Sequence, residues 1–383
     1  MITNSGKKII AKFLLGQAPA FATHIAAGIG ADVLYPTQSA SAYPYSSQQA
    51  LEFEAFRVPI TSRGFVKESG VEKIVFKGEM PSTYHYHISE IGFYSDGANS
   101  LAGSYDSKTL ATFAPVESWT LFSGTSASTI ASVTDESAVS DASGNIIWPG
   151  DPAIFMPTDG SVFYVSNRRL RNEGPRLQNK CLYFDSGVGF VGTDFSTASA
   201  AYAVQTTKLS VNLSQNLPSD EVRLAFSLMS NLYGGETNPN RTRIVLDLVN
   251  NISGLDNESP KARATVEYLE SDWVLTGTGQ VSDPTCRYKV AKFPLSSFSQ
   301  DDGFSWANIN LVRIYACTVD GSNALDTNYA FLFDGIRFEN LTTENPLYAL
   351  CGYDVVQTTS AIPVEKEENT NNYIEYRFGV DVE

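Results

Sequence analysis

The sequence predicts a mainly all-β protein: a β-sandwich domain with one N-terminal helix, interrupted by an inserted jelly-roll β-sandwich. Three observations carry this. Aromatic residues make up 12% of the 383, with 19 Tyr and 22 Phe, and aromatics favour strands. Short runs of apolar–polar alternation recur along the chain, whereas helical periodicity of useful length occurs once. The last alternation, Ile374, Tyr376, Phe378, Val380 and Val382, lies in a tail too short to bury its own core. Below about 40 residues a chain normally needs disulfides, metal or a partner to fold. That strand must pair with something, and the N-terminal region is its obvious host.

The seam between the two domains is Tyr329 to Tyr353. Tyr329, Phe331 and Phe333 alternate, and Ile336 and Phe338 continue beyond Gly335. The polar run Glu339 to Asn345, closed by Pro346, reads as a linker. The expected division is therefore 1–122 plus 346–383 as one discontinuous β-domain, 123–145 as a linker, and 146–342 as the insert.

In chain order, residues 5–15 form the one helix. Ile9, Ile10, Phe13 and Leu14 share a face, Ser5 is the expected N-cap and Gly16 the expected stop. It packs on a sheet or, in the alternative, docks a partner. Gly28 and Gly30 make a GxG, but no third glycine or βαβ pattern follows, which argues against a nucleotide loop. Residues 35–50 read as an exposed loop. Phe56, Val58 and Ile60 alternate, as do Ile74 and Phe76. Tyr84 to Ser95 is the strongest strand of this half. Its apolar parity switches near Glu90, which a bulge near Gly92 would allow. Leu110 to Phe122 supplies one more strand. Beyond the linker, alternations at 209–213, 222–228, 244–248 and 312–314 are separated by turn signals such as Leu217-Pro-Ser-Asp220 and Asp301-Asp-Gly303. This is the spacing of an antiparallel sandwich of the jelly-roll type.

Composition excludes several function classes. A net charge of −15 argues against nucleic-acid binding, which needs clustered Lys and Arg. No apolar run approaches the roughly 20 residues that span a bilayer, and no secretory signal opens the chain, so the expectation is synthesis in a cytosol without membrane insertion. Cys181, Cys286, Cys317 and Cys351 form no CxxC pair and read as small buried hydrophobes.

Catalytic chemistry is thinly represented. There are 3 His, and no GxSxG, HExxH or P-loop occurs. His85 and His87 share a strand face and could take Glu90 as a third zinc ligand, against the alternative of two imidazoles on the polar face of a strand. Glycan binding is better motivated, because sugar surfaces use planar aromatics and fixed polar groups. The candidates are Tyr233 in a Gly- and Asn-rich loop, Trp273, Trp306, and Arg313 with Tyr315 on the strand face opposite Val312 and Ile314. Core packing competes for each Trp, and a solvated surface position for Arg313. Asp334, before Gly335 in the last strand of the insert, is either a calcium ligand or a turn or bulge aspartate.

Two family resemblances sharpen this reading. ITNSGKKIIAKFLLGQAPAFATHIAAGIG, FEAFRVPITSRGF, ISEIGFYSDG and the closing IPVEKEENTNNYIEYRFGVDVE resemble the N-terminal module of virion structural proteins of tailed bacteriophages, especially tail or fibre proteins of cyanophages. KFPLSSFSQDDGFSWANINLVRIYACT with YAFLFDGIRFENL is similar to the end of galactose-binding jelly-roll carbohydrate-binding modules. In those modules the aspartate of a terminal DGI phrase can ligate structural calcium, the position of Asp334. The resemblances imply a non-enzymatic virion protein of the tail, baseplate or neck appendage type. Its partners would be other virion proteins, further copies of itself with a trimer expected first, and host cell-surface glycans. Its only metal would be a structural calcium. The alternatives are a purely architectural virion protein and a surface-glycan depolymerase.

Overall fold

A computed structural model describes residues 1–18, 21–30, 45–82, 86–95, 210–229, 241–250, 260–269, 288–319, 330–339, 349–356, 364–367 and 369–379. It also describes the backbone of short strands between 109 and 205 and at 325–326. The chain divides into two compact units. Unit 1 is Met1–Lys108, Arg176–Asn179 and Glu339–Glu383, and unit 2 is Thr109–Pro175 and Lys180–Phe338. Both are built from antiparallel strands, with one α-helix among the described residues.

That helix, α1, spans Asn4–Leu14. Its cap is Thr3 rather than Ser5. The Thr3 hydroxyl accepts from Gly6 N at 2.9 Å and donates to the Leu350 carbonyl. The helix ends as Leu15 N donates to Ala11 O and Gly16 turns to φ 69°. Of the expected apolar face only Ile9 is fully buried, and the last turn leaves Phe13 and Leu14 exposed. Cys351 on the returning segment is a buried free thiol, its titration pushed up to about 12 chiefly by burial.

Six strands follow in unit 1: β1 (His24–Gly28), β2 (Glu54–Pro59), β3 (Ser62–Glu68), β4 (Val71–Glu79), β5 (Tyr86–Ile88) and β6 (Glu90–Tyr94). The parity switch near Glu90 has a different cause from the expected bulge at Gly92. The chain changes sheet at Ser89, whose N–H donates to Gly28 O while its carbonyl accepts from Val356 N. Before that point β5 is in a two-stranded ladder; after it β6 pairs β1 in continuous register, Gly92 opposite Ala26.

Unit 2 contributes β7 (Thr109–Thr112), β8 (Trp119–Phe122), β9 (Thr129–Val133), β10 (Val139–Ser140), β11 (Ile146–Trp148), β12 (Ile154–Phe155), β13 (Phe163–Tyr164), β14 (Cys181–Asp185), β15 (Tyr202–Gln205), β16 (Glu221–Met229), β17 (Arg241–Asn250), β18 (Lys261–Leu269), β19 (Tyr288–Pro294), β20 (Ser299–Gln300), β21 (Ile309–Val319), β22 (Leu325–Asp326) and β23 (Ala330–Glu339). One sheet runs β19-β16-β23-β14-β9 with β7 on β23. The other runs β20-β18-β17-β21-β15-β8 with β22 on β21. Val222, Leu224, Phe226 and Phe293 of the first share a core with Leu246, Leu248, Val312 and Ile314 of the second, which makes unit 2 a sandwich. Two expectations shift. The stretch 109–122, expected in the discontinuous domain, pairs into both sheets of unit 2, because β7 lies on β23 and β8 on β15. The expected linker 123–145 contains β9, paired with β14.

The chain then returns as β24 (Leu350–Val355), β25 (Val364–Lys366) and β26 (Tyr373–Gly379). Strand β24 completes the sheet β2-β1-β6-β24, β25 pairs β5, and β26 joins β4 and β3. Phe93 on β6 is the aromatic hub between two of these sheets, with Phe21, Phe76 and Tyr376 at centroid distances of 5.4, 5.3 and 5.3 Å. On the opposite face of β6, Arg57 pairs with buried Glu54 at 2.7 Å and lies 3.5 Å from the Tyr94 ring centroid.

Glu90 is fully buried and ties these segments together. Oε1 accepts from Phe53 N at 2.8 Å and Gly30 N at 3.3 Å; Oε2 accepts from Glu52 N at 2.7 Å and the Tyr353 hydroxyl at 2.8 Å. Gly28 is required here by close approach, since a Cβ would overlap Glu90 Oε1. The GxG of the sequence thus cradles a carboxylate of its own chain. Burial raises the Glu90 carboxyl most and the Glu52 charge adds to it, while the bonds from Phe53, Glu52 and Tyr353 oppose; the balance is about 7. The folded value exceeds the ordinary 4.5, so the associated stability is complete below pH 4.5 and is lost as pH rises through about 7. Urea unfolding across that window is expected to show a loss of about 3 kcal/mol in the natural chain and a flattened slope in Glu90→Gln. At the acid end the variant is less stable by about 1–3 kcal/mol, because its amide sets an N–H against the Glu52 N–H.

Candidate functional site

A concavity among the described residues lies in unit 2, where three segments meet: 213–218, 295–300 and Trp306. The segment before β16 is set by local chemistry. Leu213 N donates to Trp306 O at 2.8 Å, and neighbouring Val211 forms an isolated bridge to Ile309. Buried Asp220 closes the turn predicted at 217–220, accepting from Leu217 N at 2.9 Å and from the Asn216 amide at 3.3 Å. An aspartate that bonds the backbone of its own turn is the reason this residue type recurs there. The second segment is tied to the first by Leu295 N to Asp220 O at 2.8 Å and Ser296 N to Pro218 O at 2.9 Å.

Trp306 is half-buried against the core, with Phe298 and Phe304 edge-on at centroid distances of 5.6 and 5.0 Å. Its segment is pinned by Asn250, whose amide donates to Ser305 O at 2.9 Å and Asn308 O at 2.7 Å. The resulting open groove has a volume of about 220 Å³. Leu213, Pro218, Leu295 and Trp306 supply apolar surface, and Ser214, Asn216, Ser296 and Gln300 supply neutral donors and acceptors. That is below the roughly 300–1,000 Å³ of a site enclosing a drug-sized ligand, and it suits a single ring resting on an apolar floor. The groove lining includes no carboxylate pair.

The structure separates the sequence candidates. Trp306 lines the groove. Arg313 and Tyr315 lie on the sheet face opposite the core, as their parity predicts, but both are fully buried, so the expected open or concave face is closed at these positions. The row across the sheet in which Arg313 stands is one of opposite charges. Fully buried Asp247 stands opposite Arg313 on one side and Arg263 on the other. Arg263 grips Asp247 with two bonds, 2.6 and 2.8 Å, and donates to the Tyr315 hydroxyl at 3.1 Å. Tyr233 and Trp273 lie outside the described residues. Asp334 sits within β23, and its side chain is outside the described residues. Among the described residues no cluster of three metal-ligating side chains occurs. For the histidine candidates, His85 is outside the described residues, His87 is buried, and both Glu90 oxygens are taken by donors.

Ser214, Asn216, Ser296 and Gln300 were not singled out from sequence. Their only signal was adjacency to turns, where recognition residues concentrate. No helix among the described residues is long and apolar enough to cross a membrane.

No protein-family model matches the sequence, and no curated protein matches it. Among solved structures, a family 11 carbohydrate-binding module from Clostridium thermocellum, in complex with a β-1,3-1,4-mixed-linked tetrasaccharide, is similar at 14% identity and a TM-score of 0.28, covering 61% of this chain and 95% of that one. A family 30 carbohydrate-binding module is similar at 11% identity and a TM-score of 0.26, covering 55% and 99%. A sugar-binding protein from Bacteroides thetaiotaomicron, so described with reservation, stands at 7% identity and a TM-score of 0.23, covering 44% and 79%. Likenesses this slight say nothing of what this chain binds.

The Asp247 row generates a prediction for unit 2. Asp247→Ala strips the buried cross-strand partner from Arg263 and is expected to cost about 3–5 kcal/mol, measured by chemical unfolding. Replacing Asp247 and Arg263 together with Leu and Met should recover only part of that loss, because buried Arg313 still loses the carboxylate it faces across the sheet.

Proposed function

We propose that the chain is a non-enzymatic structural protein of a tailed-bacteriophage virion, a tail, baseplate or neck appendage that binds host-surface glycans through the Trp306 groove. One observation carries the glycan reading: a half-buried indole lines an open groove whose polar side chains are all neutral hydrogen-bonding groups. That is the combination a pyranose needs, an apolar face to rest on and fixed groups for its hydroxyls. The virion reading is supported by the resemblance of residues 2–30, 53–65, 88–97 and 362–383 to phage attachment modules, because all four segments fall in unit 1. In this proposal unit 1 attaches to other virion proteins, further copies assemble with it, the trimer first among the arrangements, and Asp334 holds a structural calcium. The purely architectural role is the second reading.

A glycan array probed with the purified chain tests the first. Retention is expected on particular neutral glycans, falling at least about tenfold in Trp306→Ala, as for an aromatic anchor. Equal retention by variant and natural chain removes the groove from the proposal. Release of new reducing ends from a retained polysaccharide would make the protein a depolymerase. A particle map with unit 2 enclosed by neighbouring subunits would leave the architectural role alone.

A further inference from the structure

Strand β3 is the edge of the sheet β26-β4-β3, and among the described residues nothing pairs with its outer side. A sheet edge presents a row of unpaired N–H and C=O groups, and proteins guard such edges with bulges, prolines, charges or covering segments. Over its 7 residues, Ser62–Glu68, β3 contains neither proline nor bulge. Its register with β4 is continuous from Ser62 opposite Lys77 to Glu68 opposite Val71, and the hairpin is closed tightly by Ser69 and Gly70 at φ 51° and 87°.

The side chains on this edge form a pattern. Arg63, Phe65 and Lys67 share one face by strand parity, and all three are exposed, Phe65 to 78%. Arg63 donates one N–H to Ala22 O at 2.9 Å. Lys67 stands opposite Glu72 on β4, with no ion pair between them. The opposite face is different: there Glu68 is engaged by Lys73 and Arg377. On β3 this face, which runs on across β4 into buried Phe76, is exposed and reads basic–aromatic–basic, in a chain whose net charge is −15.

We propose that β3 is a docking edge that captures, by strand addition, an extended segment of a partner protein reading acidic–apolar–acidic at alternate positions. In strand addition the main chain supplies affinity and alternate side chains supply specificity. Residues of an added strand that face Arg63, Phe65 and Lys67 fall on one side of it at a spacing of two. Acid opposite each cation and an apolar residue over the Phe65 ring complete that row. The pattern reads the same in both directions, so it fits a parallel or an antiparallel guest. This inference concerns unit 1 and is independent of the glycan reading.

Fluorescence anisotropy with the full chain and a labelled, capped Ser-Glu-Thr-Val-Thr-Glu-Ser peptide tests it. The alternating peptide is expected to bind at least about tenfold more tightly than a scramble with adjacent glutamates. Phe65→Ser should weaken it, and Arg63→Glu with Lys67→Glu should transfer the preference to Ser-Lys-Thr-Val-Thr-Lys-Ser. That transfer is a gain of binding, which an unfolded variant cannot imitate. Equal binding of peptide and scramble would reduce the surface to a general polyanion contact and overturn the proposal. So would no binding of the peptide, or a charge-reversed variant that keeps the original preference.

Discussion

A carboxylate removed from water must find its donors inside the protein, and Glu90 finds four. Three are backbone N–H groups from a strand end and a loop, and the fourth is the hydroxyl of Tyr353, 263 residues further along the chain. The arrangement determines much around it. Gly28 must lack a side chain, residues 52 and 53 must present their N–H groups, and β24 must sit in the register that brings Tyr353 over β6. A buried polar group with partners specifies one packing, because each alternative leaves a donor or acceptor unpaired. Unit 1's sheet packs Phe93 on one side, and on the other sets Glu90 and the Glu54–Arg57 pair among a second apolar cluster of Ala26, Leu51, Tyr94, Leu350 and Tyr353.

Unit 2 solves a related problem differently. Its core is hydrophobic and shared between two sheets, but the far face of one sheet buries Asp247 with arginines on both neighbouring strands. Cross-strand neighbours on one face lie close enough for opposite charges to pair. The consequence for function is spatial. Charge is committed to the sheet's far face, and the open groove on the core side is left lined by neutral groups and an indole.

How much of this was legible in the sequence depends on the range of the interaction that decides it. The helix, the alternating strands and the turn at 217–220 are local, and period and turn chemistry disclosed them. The cap moved from Ser5 to Thr3 because Thr3 gains a second partner, the Leu350 carbonyl, that no local rule contains. The parity switch at Glu90 was visible, but a bulge and a change of sheet leave the same mark on a sequence. Strands β7 and β8 were assigned to the wrong side of the boundary because alternation does not say which sheet a strand joins. For the site, Trp306 was a candidate on residue type. Arg313 and Tyr315 were placed on the right face, yet strand parity gives a face and not what covers it, nor that Asp247 and Arg263 are the neighbours across the sheet. The polar side chains of the groove come from separate loops that only tertiary structure assembles.

The pairing of β24 with β6 and of β26 with β4 has a consequence for how the protein is made. Strands from the first ninety-five residues must wait for partners that emerge from the ribosome only after the whole of unit 2. Closing so large a loop slows formation of non-local contacts and leaves sheet edges and apolar faces open meanwhile. The Glu90 carboxylate lacks its tyrosine donor throughout this interval. Unit 2 can gather its core as it emerges, whereas unit 1, whose synthesis begins first, is completed last.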